Sequence, residues 1–254
     1  MTDDESTGLT TMHWERMELA VRLARYALDH GETPVACVFF YEPLGEVIAY
    51  GMNDTNRSLT GIAHAEFMAM DQLRCILGGS AELARVAQGI TVYVTVEPCI
   101  MCASALRQLG IKKVVFGCAN ERFGGNGTVL RCNKDHSTTG EPYESIPGIM
   151  RREAIMLLRY FYVRSNEKAP RPKNKTERRL DRENFPALEW SRYLDESSFI
   201  QEFSDRNKEH YITRTDVNGE VNWSLIDEPC EGIIDELDKR CNYFVEHTNK
   251  KIKC

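Results

Sequence analysis

The amino-acid sequence predicts a three-layer α/β domain, in which helices cover both faces of a mixed β-sheet, followed by a C-terminal extension. Apolar residues change between helical and strand-like spacing in the order α-β-β-α-β-α-β-loop-α as far as residue 165. Hydrophobic residues make up 42% of the 254 residues, which is enough for a substantial core. We therefore expect a flexible N-terminus at residues 1–11, a folded domain at 12–165 and an extension at 166–254.

The first elements are expected to be a helix and a β-hairpin. Apolar side chains recur at helical spacing through residues 11–29, and Gly31 follows as a stop signal. Two β-like segments, residues 35–40 and 46–50, flank turn-forming residues at 42–45. The pairing of these two segments gives the first two strands of the predicted sheet.

Two helices and two strands complete the centre of the predicted domain. A polar loop at residues 53–61 leads to a helix at about 63–77. Residues 90–96 alternate apolar and β-branched side chains as a strand does, and residues 98–109 return to helical spacing. A short strand at 112–117 follows, so that strands and helices alternate.

The remaining segments are less regular. Residues 118–148 are rich in Gly and Pro, and long irregular segments of this kind are usually functional or mobile. Residues 149–164 again have helical spacing and close the domain. In the extension we expect short helices at 188–203 and 232–245.

The nine cysteines indicate a reduced environment rather than a disulfide scaffold, because they are odd in number and scattered over a long chain. The N-terminus lacks the basic and apolar regions of a secretory signal, and no apolar segment approaches the roughly 18 residues that span a bilayer. We expect an intracellular protein with no membrane partner. Small buried hydrophobic roles are expected for Cys37, Cys75, Cys118 and Cys241.

The chemistry is indicated by His64-Ala65-Glu66 and, 32 residues later, Pro98-Cys99-Ile100-Met101-Cys102. An imidazole and two thiolates are good ligands for Zn²⁺, and three protein ligands leave a fourth position open, as in catalytic zinc sites. Glu66 is not needed as a ligand and is free to move protons. We therefore predict a catalytic zinc held by His64, Cys99 and Cys102, with Glu66 as the acid–base residue.

The spacing constrains how these residues meet. Residues i and i+2 of a helix point about 200° apart, so His64 and Glu66 share a site only if the helix directs its N-terminal end at it. Cys99 and Cys102 lie on one face of a first helical turn. We expect two helix N-termini to converge on the metal, where their dipoles favour anionic ligands.

These motifs resemble the zinc deaminases of nucleobases, and among them the catalytic subunit of the eukaryotic heterodimeric tRNA adenosine deaminases. The resemblance covers about residues 12–164 and, in part, the tail that bacterial relatives lack. Residues 120–127 are the part most particular to the eukaryotic subunit. The matching segments are Glu32–Ala36, Gly51–Asn53, Ala63–Glu66, Val96–Ala103, Val115–Gly117 and Asn120–Gly127.

The resemblance implies a cytidine-deaminase-like fold and hydrolysis of adenosine to inosine at the wobble position of tRNA. It implies that Glu66 takes a proton from the attacking water, delivers it to N1 of adenine and helps the ammonia to leave. It places the amide of Asn53 against the nucleoside, although a turn-stabilising asparagine is the alternative. It also implies a related, catalytically inactive partner subunit, and a cytoplasmic and nuclear location.

The charge distribution gives candidate RNA contacts. The net charge is −6, but residues 164–182 carry 8 basic and 3 acidic side chains, a balance of +5, whereas residues 183–238 carry a balance of −11. The basic segment and Lys250–Lys253 are therefore candidate phosphate contacts, or simply solvated surface. The acidic block is expected to face away from RNA, and truncation after residue 164 is expected to weaken tRNA binding or partner assembly more than the zinc site.

Two other functions remain open from the residues alone. A free-nucleotide deaminase of the cytidine or deoxycytidylate type has the same zinc motif. A non-enzymatic, zinc-stabilised interaction subunit would have a fourth protein ligand that closes the site, and Cys118 and Cys132 are its candidates. The Gly-rich residues 124–127 are either a turn cluster or part of a loop that lines the substrate.

Overall fold

The structure, a computed structural model, describes residues 3–136, 139–164 and 180–248. No helix within these ranges combines the length and the apolar character needed to cross a bilayer. The strands are β1 (Ala36–Tyr41), β2 (Glu46–Met52), β3 (Ile90–Val96), β4 (Lys113–Cys118) and β5 (Glu144–Ile146). The helices are α1 (Asp3–Asp29), α2 (Thr55–Ser58), α3 (Ala65–Leu77), α4 (Ser80–Ala87), α5 (Ile100–Leu109), α6 (Arg151–Val163), α7 (Glu196–Phe203), α8 (Lys208–Thr213), α9 (Trp223–Asp227) and α10 (Ile233–Thr248).

The five strands form one mixed sheet in the order β2-β1-β3-β4-β5. β1 is antiparallel to both β2 and β3, whereas β3, β4 and β5 are parallel. One group of helices, α1, α6 and α10, packs together and against the sheet, and a second group consists of α3, α4 and α5. The predicted three-layer α/β fold is confirmed, and β3 ends where the Cys99 motif begins.

Several local elements were not predicted. Residues 3–11 are helical and belong to α1, and the Thr10 hydroxyl donates to the Glu202 carbonyl of α7 at 3.1 Å, so the flexibility expected for residues 1–11 stays a prediction. The polar loop contains α2, the short helix α4 was not predicted, and β5 interrupts the irregular segment. Each of these three elements has eight residues or fewer, too few for a clear periodic pattern.

The C-terminal extension shares one hydrophobic core with the rest of the chain. Trp190, Phe199 and Phe203 are almost fully buried in the same cluster as the sheet and α1. The Trp190 ring meets Phe199 and Phe203 edge-on, with centroid distances of 4.9 and 5.2 Å. Its indole nitrogen donates to the Thr215 carbonyl at 3.0 Å, so the ring satisfies its polar group while it is buried.

The acidic block of the extension supplies counter-charges to basic residues of the core. Asp216 accepts from Arg151 at 2.8 Å and from Arg152 at 2.7 Å, and Arg151 and Asp216 are both buried. Glu202 lies 3.2 Å from the ammonium of Lys113. Ion pairs within the protein therefore neutralise part of the excess negative charge of residues 183–238. Of the basic segment 164–182, residues 165–179 lie outside the described residues, as do Lys250–Lys253; Arg164 donates to the Leu28 carbonyl at 3.0 Å and Arg182 pairs with Asp227 at 2.9 Å.

The cysteines follow the sequence prediction in three of four cases. Cys37, Cys118 and Cys241 are buried, whereas Cys75 is exposed. The buried face of α3 contains Ala65, Ala69 and Leu73. Cys75, two residues beyond Leu73, points away from that face, so the buried role predicted for it was wrong.

We expect Trp190→Ala to destabilise the whole protein by about 3–5 kcal/mol, because it removes a large buried aromatic side chain and leaves a cavity beside Phe199 and Phe203. Urea unfolding monitored by circular dichroism would measure the change. Ile212→Ala is a matched control in the extension, since that side chain is 66% exposed and should change stability by less than about 0.5 kcal/mol. Equal stabilities would show that the extension is not part of the folding unit.

Since the extension holds core residues, truncation after residue 164 is also expected to destabilise the zinc-binding domain.

Candidate active site

The three predicted metal ligands lie together. The Nδ1 atom of His64 is 3.5 Å from the Cys99 sulfur and 3.4 Å from the Cys102 sulfur, and the three donor atoms lie within 4.8 Å of one another. A tetrahedral zinc with ordinary bond lengths requires a nitrogen–sulfur separation of about 3.6 Å. The donor atoms therefore fit Zn²⁺ in both chemistry and spacing.

Two helix N-termini position these ligands. His64 is the N-cap residue of α3 and Cys99 is the N-cap residue of α5, each with extended backbone angles. The first helical N–H of α3 donates to the side-chain oxygen of Asn53 at 2.9 Å, and that of α5 donates to the Phe123 carbonyl at 2.8 Å. Neither ligand uses its own side chain as a cap, so both side chains are directed at the metal site.

The two thiols have opposite electrostatic behaviour. The pKa of Cys99 is lowered to about 4, first because the Cys102 thiol hydrogen-bonds to its sulfur and further because His64 lies alongside. The pKa of Cys102 is raised by the same hydrogen bond to Cys99 and by burial. Two neighbouring thiols thus share a proton, and a divalent cation favours the thiolate form of both.

Glu66 lies in the first turn of α3 and is buried, with 3% of the residue exposed. Burial raises the pKa of its carboxyl above the ordinary value, and the negative charge of Cys99 adds to this effect. A carboxyl whose pKa is raised in this way holds a proton more readily than an exposed one, which suits it to acid–base catalysis. Because Glu66 is not in the cluster of donor atoms, its carboxyl is available for proton transfer.

A cavity of about 640 Å³ opens above the ligands. His64, Glu66 and Cys99 form part of its wall, together with residues of the loop 119–123 and of α6. Phe123 is 61% exposed and Tyr162 is 54% exposed, and both side chains line the cavity. Exposed aromatic rings beside a catalytic pocket are suited to stacking against unpaired nucleobases.

Asn53 stabilises the start of α3 and also reaches the cavity, so its contact with a nucleoside stays a prediction. Its side-chain oxygen caps α3 through the Ala65 N–H, and it lines the cavity. The side-chain nitrogen makes no hydrogen bond to any residue that the structure describes, so it is free to donate to a bound molecule. The structure therefore places a donor amide at the cavity wall, held in position by the start of the helix that carries His64 and Glu66.

The buried carboxylate of Glu97 organises the loop that forms the cavity wall. It accepts hydrogen bonds from the backbone N–H groups of Asn120 at 3.0 Å, Asn126 at 2.9 Å and Thr128 at 3.1 Å, and from the Thr128 hydroxyl. Gly124 packs directly on this carboxylate, where any Cβ would collide with it. The Gly-rich residues 124–127 are thus a close-packed turn against Glu97, and the part of the loop that lines the cavity is the preceding segment 119–123.

We expect Glu97→Ala to destabilise the protein by about 3 kcal/mol or more, because three backbone N–H groups lose their acceptor. Activity should fall with it, since the loop from Asn120 to Phe123 forms part of the cavity. Thermal unfolding and turnover of the purified variant would test both effects. Glu141→Ala, at an exposed glutamate of the same irregular segment, should change neither. Unaltered stability in the Glu97 variant would contradict the role assigned to this carboxylate.

The site is open on one side. Among the described residues, the donor cluster contains His64, Cys99 and Cys102, and neither Cys118 nor Cys132 joins it. The interaction-subunit alternative required such a fourth ligand. Three protein ligands, a buried carboxylate and an adjoining cavity are the arrangement of a hydrolytic zinc enzyme, and the motifs His64-Ala65-Glu66 and Pro98–Cys102 place it among the zinc-dependent deaminases.

Comparisons with known proteins agree with this class. Residues 10–118 match the family model described as "Cytidine and deoxycytidylate deaminase zinc-binding region", so the predicted zinc cofactor is confirmed. The chain is 49% identical over 183 residues to the tRNA-specific adenosine deaminase subunit tad2 of Schizosaccharomyces pombe. That match covers 72% of this chain but only 45% of the relative, so the chain spans less than half of its length.

Shorter relatives are covered more fully. The tRNA-specific adenosine deaminase 2 of Danio rerio is 44% identical, with 62% of this chain and 73% of the relative matched. The tRNA-specific adenosine deaminase of Bacillus subtilis is 33% identical, with 61% and 92% matched. A solved structure from work on A-to-I editing by tRNA:A34 deaminases has a TM-score of 0.51 and 28% identity, covering 57% of this chain and 99% of that one. The chain belongs to the family of tRNA-specific adenosine deaminases.

Some residues at the site were not identified from the sequence. Leu158 and Tyr162 reach the cavity from α6, and helical spacing alone does not show which face of that helix meets the site. The hydrogen bonds that Glu97 accepts from the loop 120–128 were also not foreseen. Gly124, which packs against the Glu97 carboxylate, could have indicated this contact, because a glycine whose backbone conformation does not require it often marks close packing.

Proposed function

We propose that this protein converts adenosine to inosine in tRNA by hydrolytic deamination at the first anticodon position. The observation that carries the proposal is the placement of Glu66 beside three donor atoms whose spacing suits an open tetrahedral zinc site. The names of the relatives support adenosine in tRNA as the substrate. The wobble position is supported by the solved structure of similar fold, which comes from work on tRNA:A34 deaminases.

Each residue has a distinct role in the proposed reaction. His64, Cys99 and Cys102 would hold zinc, which would act as a Lewis acid and make water nucleophilic near neutral pH. Glu66 takes one proton from the attacking water and passes it to N1 of adenine. It then takes the remaining proton of the hydroxyl added at C6 and passes it to the amino group, so that the C6–N bond breaks, ammonia leaves and the C6 carbonyl forms. Asn53 donates its amide N–H to the nucleoside and thereby orients it.

The cavity favours a nucleoside that is already unstacked. Phe123 and Tyr162 are exposed aromatic residues on the cavity wall, and they provide surfaces against which neighbouring bases stack. A base inside a duplex would first have to be flipped out, which costs a few kcal/mol. An anticodon loop presents its bases without that cost.

We also propose that the protein acts with a related deaminase-fold partner that is catalytically inactive. A groove of about 540 Å³ crosses α3, α4 and α5, with half-buried apolar side chains that include Phe67, Met70, Leu83 and Met101. This surface would bury apolar area against a second subunit. A cytoplasmic and nuclear location remains a prediction that follows from the substrate.

The test is inosine formation by the zinc-loaded full chain, with and without its co-expressed partner. Substrates would be a tRNA with adenosine at the first anticodon position, the same tRNA with guanosine there, and free adenosine, cytidine and deoxycytidylate. We expect inosine only in the first tRNA. Deamination of free cytidine compounds without reaction on tRNA would instead assign the protein to the nucleotide deaminases.

A further inference from the structure

A second cavity, of about 280 Å³, adjoins the catalytic one. Ala119, Glu121, Leu158 and Tyr162 line both cavities, so the two share a wall. The far side of the second cavity is built by residues 186–189 and by Arg192 and Tyr193 of the extension. The catalytic cavity is therefore continued by a second compartment that the extension helps to build.

The chemistry of the second cavity favours a ligand with both a flat apolar part and an anionic part. Ile155, Leu158 and Pro186 give it apolar walls, and Tyr162 adds an aromatic ring. Its volume lies at the lower end of the roughly 300–1,000 Å³ found for small-molecule sites, so one nucleotide unit suits it better than a larger ligand.

Arginine provides the positive charge. Arg192 is exposed, and although its backbone N–H donates to the Glu189 carbonyl at 3.0 Å, its guanidinium makes no hydrogen bond or ion pair with any described residue. Arg151 is buried, and although Asp216 and the Pro186 carbonyl hold its two terminal nitrogens, its Nε has no hydrogen-bond partner among the described residues. Arg159 also lines the cavity, but its terminal nitrogens donate to the carbonyls of Asp181 and Asn184.

Two carboxylates complete the lining. Glu189 is paired with Arg214 at 2.9 Å, which neutralises it. Glu121 is exposed, is shared with the catalytic cavity and forms no ion pair with the described residues, so it is an acceptor for the amino group of a base. Donors for a phosphate and an acceptor for a base edge thus lie in one compartment.

We propose that this second cavity binds the nucleotide that directly adjoins the target adenosine in the RNA chain. The proposal rests on the proposed function and extends it, because it names a subsite built by the extension. The adjoining base enters between the apolar walls next to Tyr162, and Arg192 contacts its phosphate. Residues 186–193 therefore contribute to substrate recognition as well as to the core.

The test combines a protein change with an RNA change. Ala187 is exposed and lines the cavity, so Ala187→Trp fills it without disturbing the core. Anticodon stem–loop RNAs would carry the target adenosine with either an intact neighbour or an abasic residue immediately 5′ or 3′ of it. Each full-length variant would be assayed together with its partner subunit on each RNA. Initial rates of inosine formation would give kcat/KM for every combination of variant and RNA.

We expect one of the two abasic RNAs to lower kcat/KM of the wild type by about tenfold, in line with the loss of one stacked base. Ala187→Trp should show a similar loss on the intact RNA and no further loss on that abasic RNA, since both changes remove the same contact. Arg192→Ala should raise KM several-fold with kcat unchanged, and it keeps the test valid if Ala187→Trp fails to fold. Arg206→Ala, at an exposed arginine of the extension that lines neither cavity, should behave as the wild type.

Other outcomes separate the two proposals. If the loss of kcat/KM caused by Ala187→Trp and the loss caused by the abasic residue multiply when they are combined, the subsite proposal is wrong while the proposed function stands. The same holds if Ala187→Trp and Arg192→Ala both match the wild type. If the wild type forms no inosine in any RNA, the proposed function fails and the subsite proposal fails with it. Zinc content and unfolding temperature of each variant would confirm that the comparisons involve intact protein.

Discussion

Glu66→Ala is expected to lower the rate of deamination by about 10³-fold or more, while the variant keeps its zinc and its fold. The carboxyl transfers protons in both halves of the proposed reaction, so its removal affects the attack of water and the departure of ammonia. The ligands His64, Cys99 and Cys102 remain in place because Glu66 is outside the donor cluster. Zinc analysis and single-turnover kinetics on tRNA would measure the two effects separately.

Glu66→Gln is the matched variant for this prediction. It keeps the size and polarity of the side chain in its buried position but cannot accept a proton, so it should be as inactive as the alanine variant. Binding of tRNA should be retained by both. Loss of zinc in either variant would mean that Glu66 supports the metal, and substantial activity in Glu66→Gln would rule out the proton-transfer role.

Cys99→Ala is expected to remove both zinc and activity and to lower the stability of the protein. Stability decreases because a metal that binds only the folded state contributes RT ln(1 + [L]/Kd), about 4 kcal/mol at a zinc concentration 1,000-fold above Kd. The same variant also removes the N-cap side chain of α5, which the metal would hold in place. Zinc content and urea unfolding, with and without a chelator, would test this prediction.

Cys75→Ala provides the control for that variant, since Cys75 is an exposed cysteine on α3 and lies outside the metal cluster. It should retain one zinc per chain, full activity and the stability of the wild type. A chelator should destabilise the wild type and the Cys75 variant equally and leave Cys99→Ala unchanged. Stoichiometric zinc in Cys99→Ala would contradict the ligand assignment.

The sequence predicted most of the domain because its four longer strands are rich in apolar and β-branched residues and its main helices have 10 residues or more. The predicted strand at 90–96 coincides with β3, whose seven residues are all buried. The convergence of two helix N-termini also followed from spacing alone, since His64 and Glu66 share a site in no other arrangement. The structure agrees with this expectation, with His64 and Cys99 as N-cap residues.

Long-range contacts could not be predicted in this way. Trp190 gives no local sign that it packs into the core of a domain that ends some 25 residues earlier. The hydrogen bonds of Glu97 join residues 23 to 31 positions apart, and the wall formed by residues 186–193 meets the catalytic loop only through the tertiary fold. These features depend on how separate segments are packed, about which periodicity carries no information.

The Thr128 hydroxyl bridges the extension and the catalytic loop, because it hydrogen-bonds both the Glu97 carboxylate and, at 2.5 Å, the hydroxyl of Tyr193. If the loop 119–128 were transplanted into a scaffold without residues 186–193, this hydroxyl would lose its second partner. The graft would need residues 186–193 as well, or a substitution at Thr128 whose side chain needs no hydrogen-bond partner other than Glu97. Loop and tail are therefore best exchanged between enzymes as a single module.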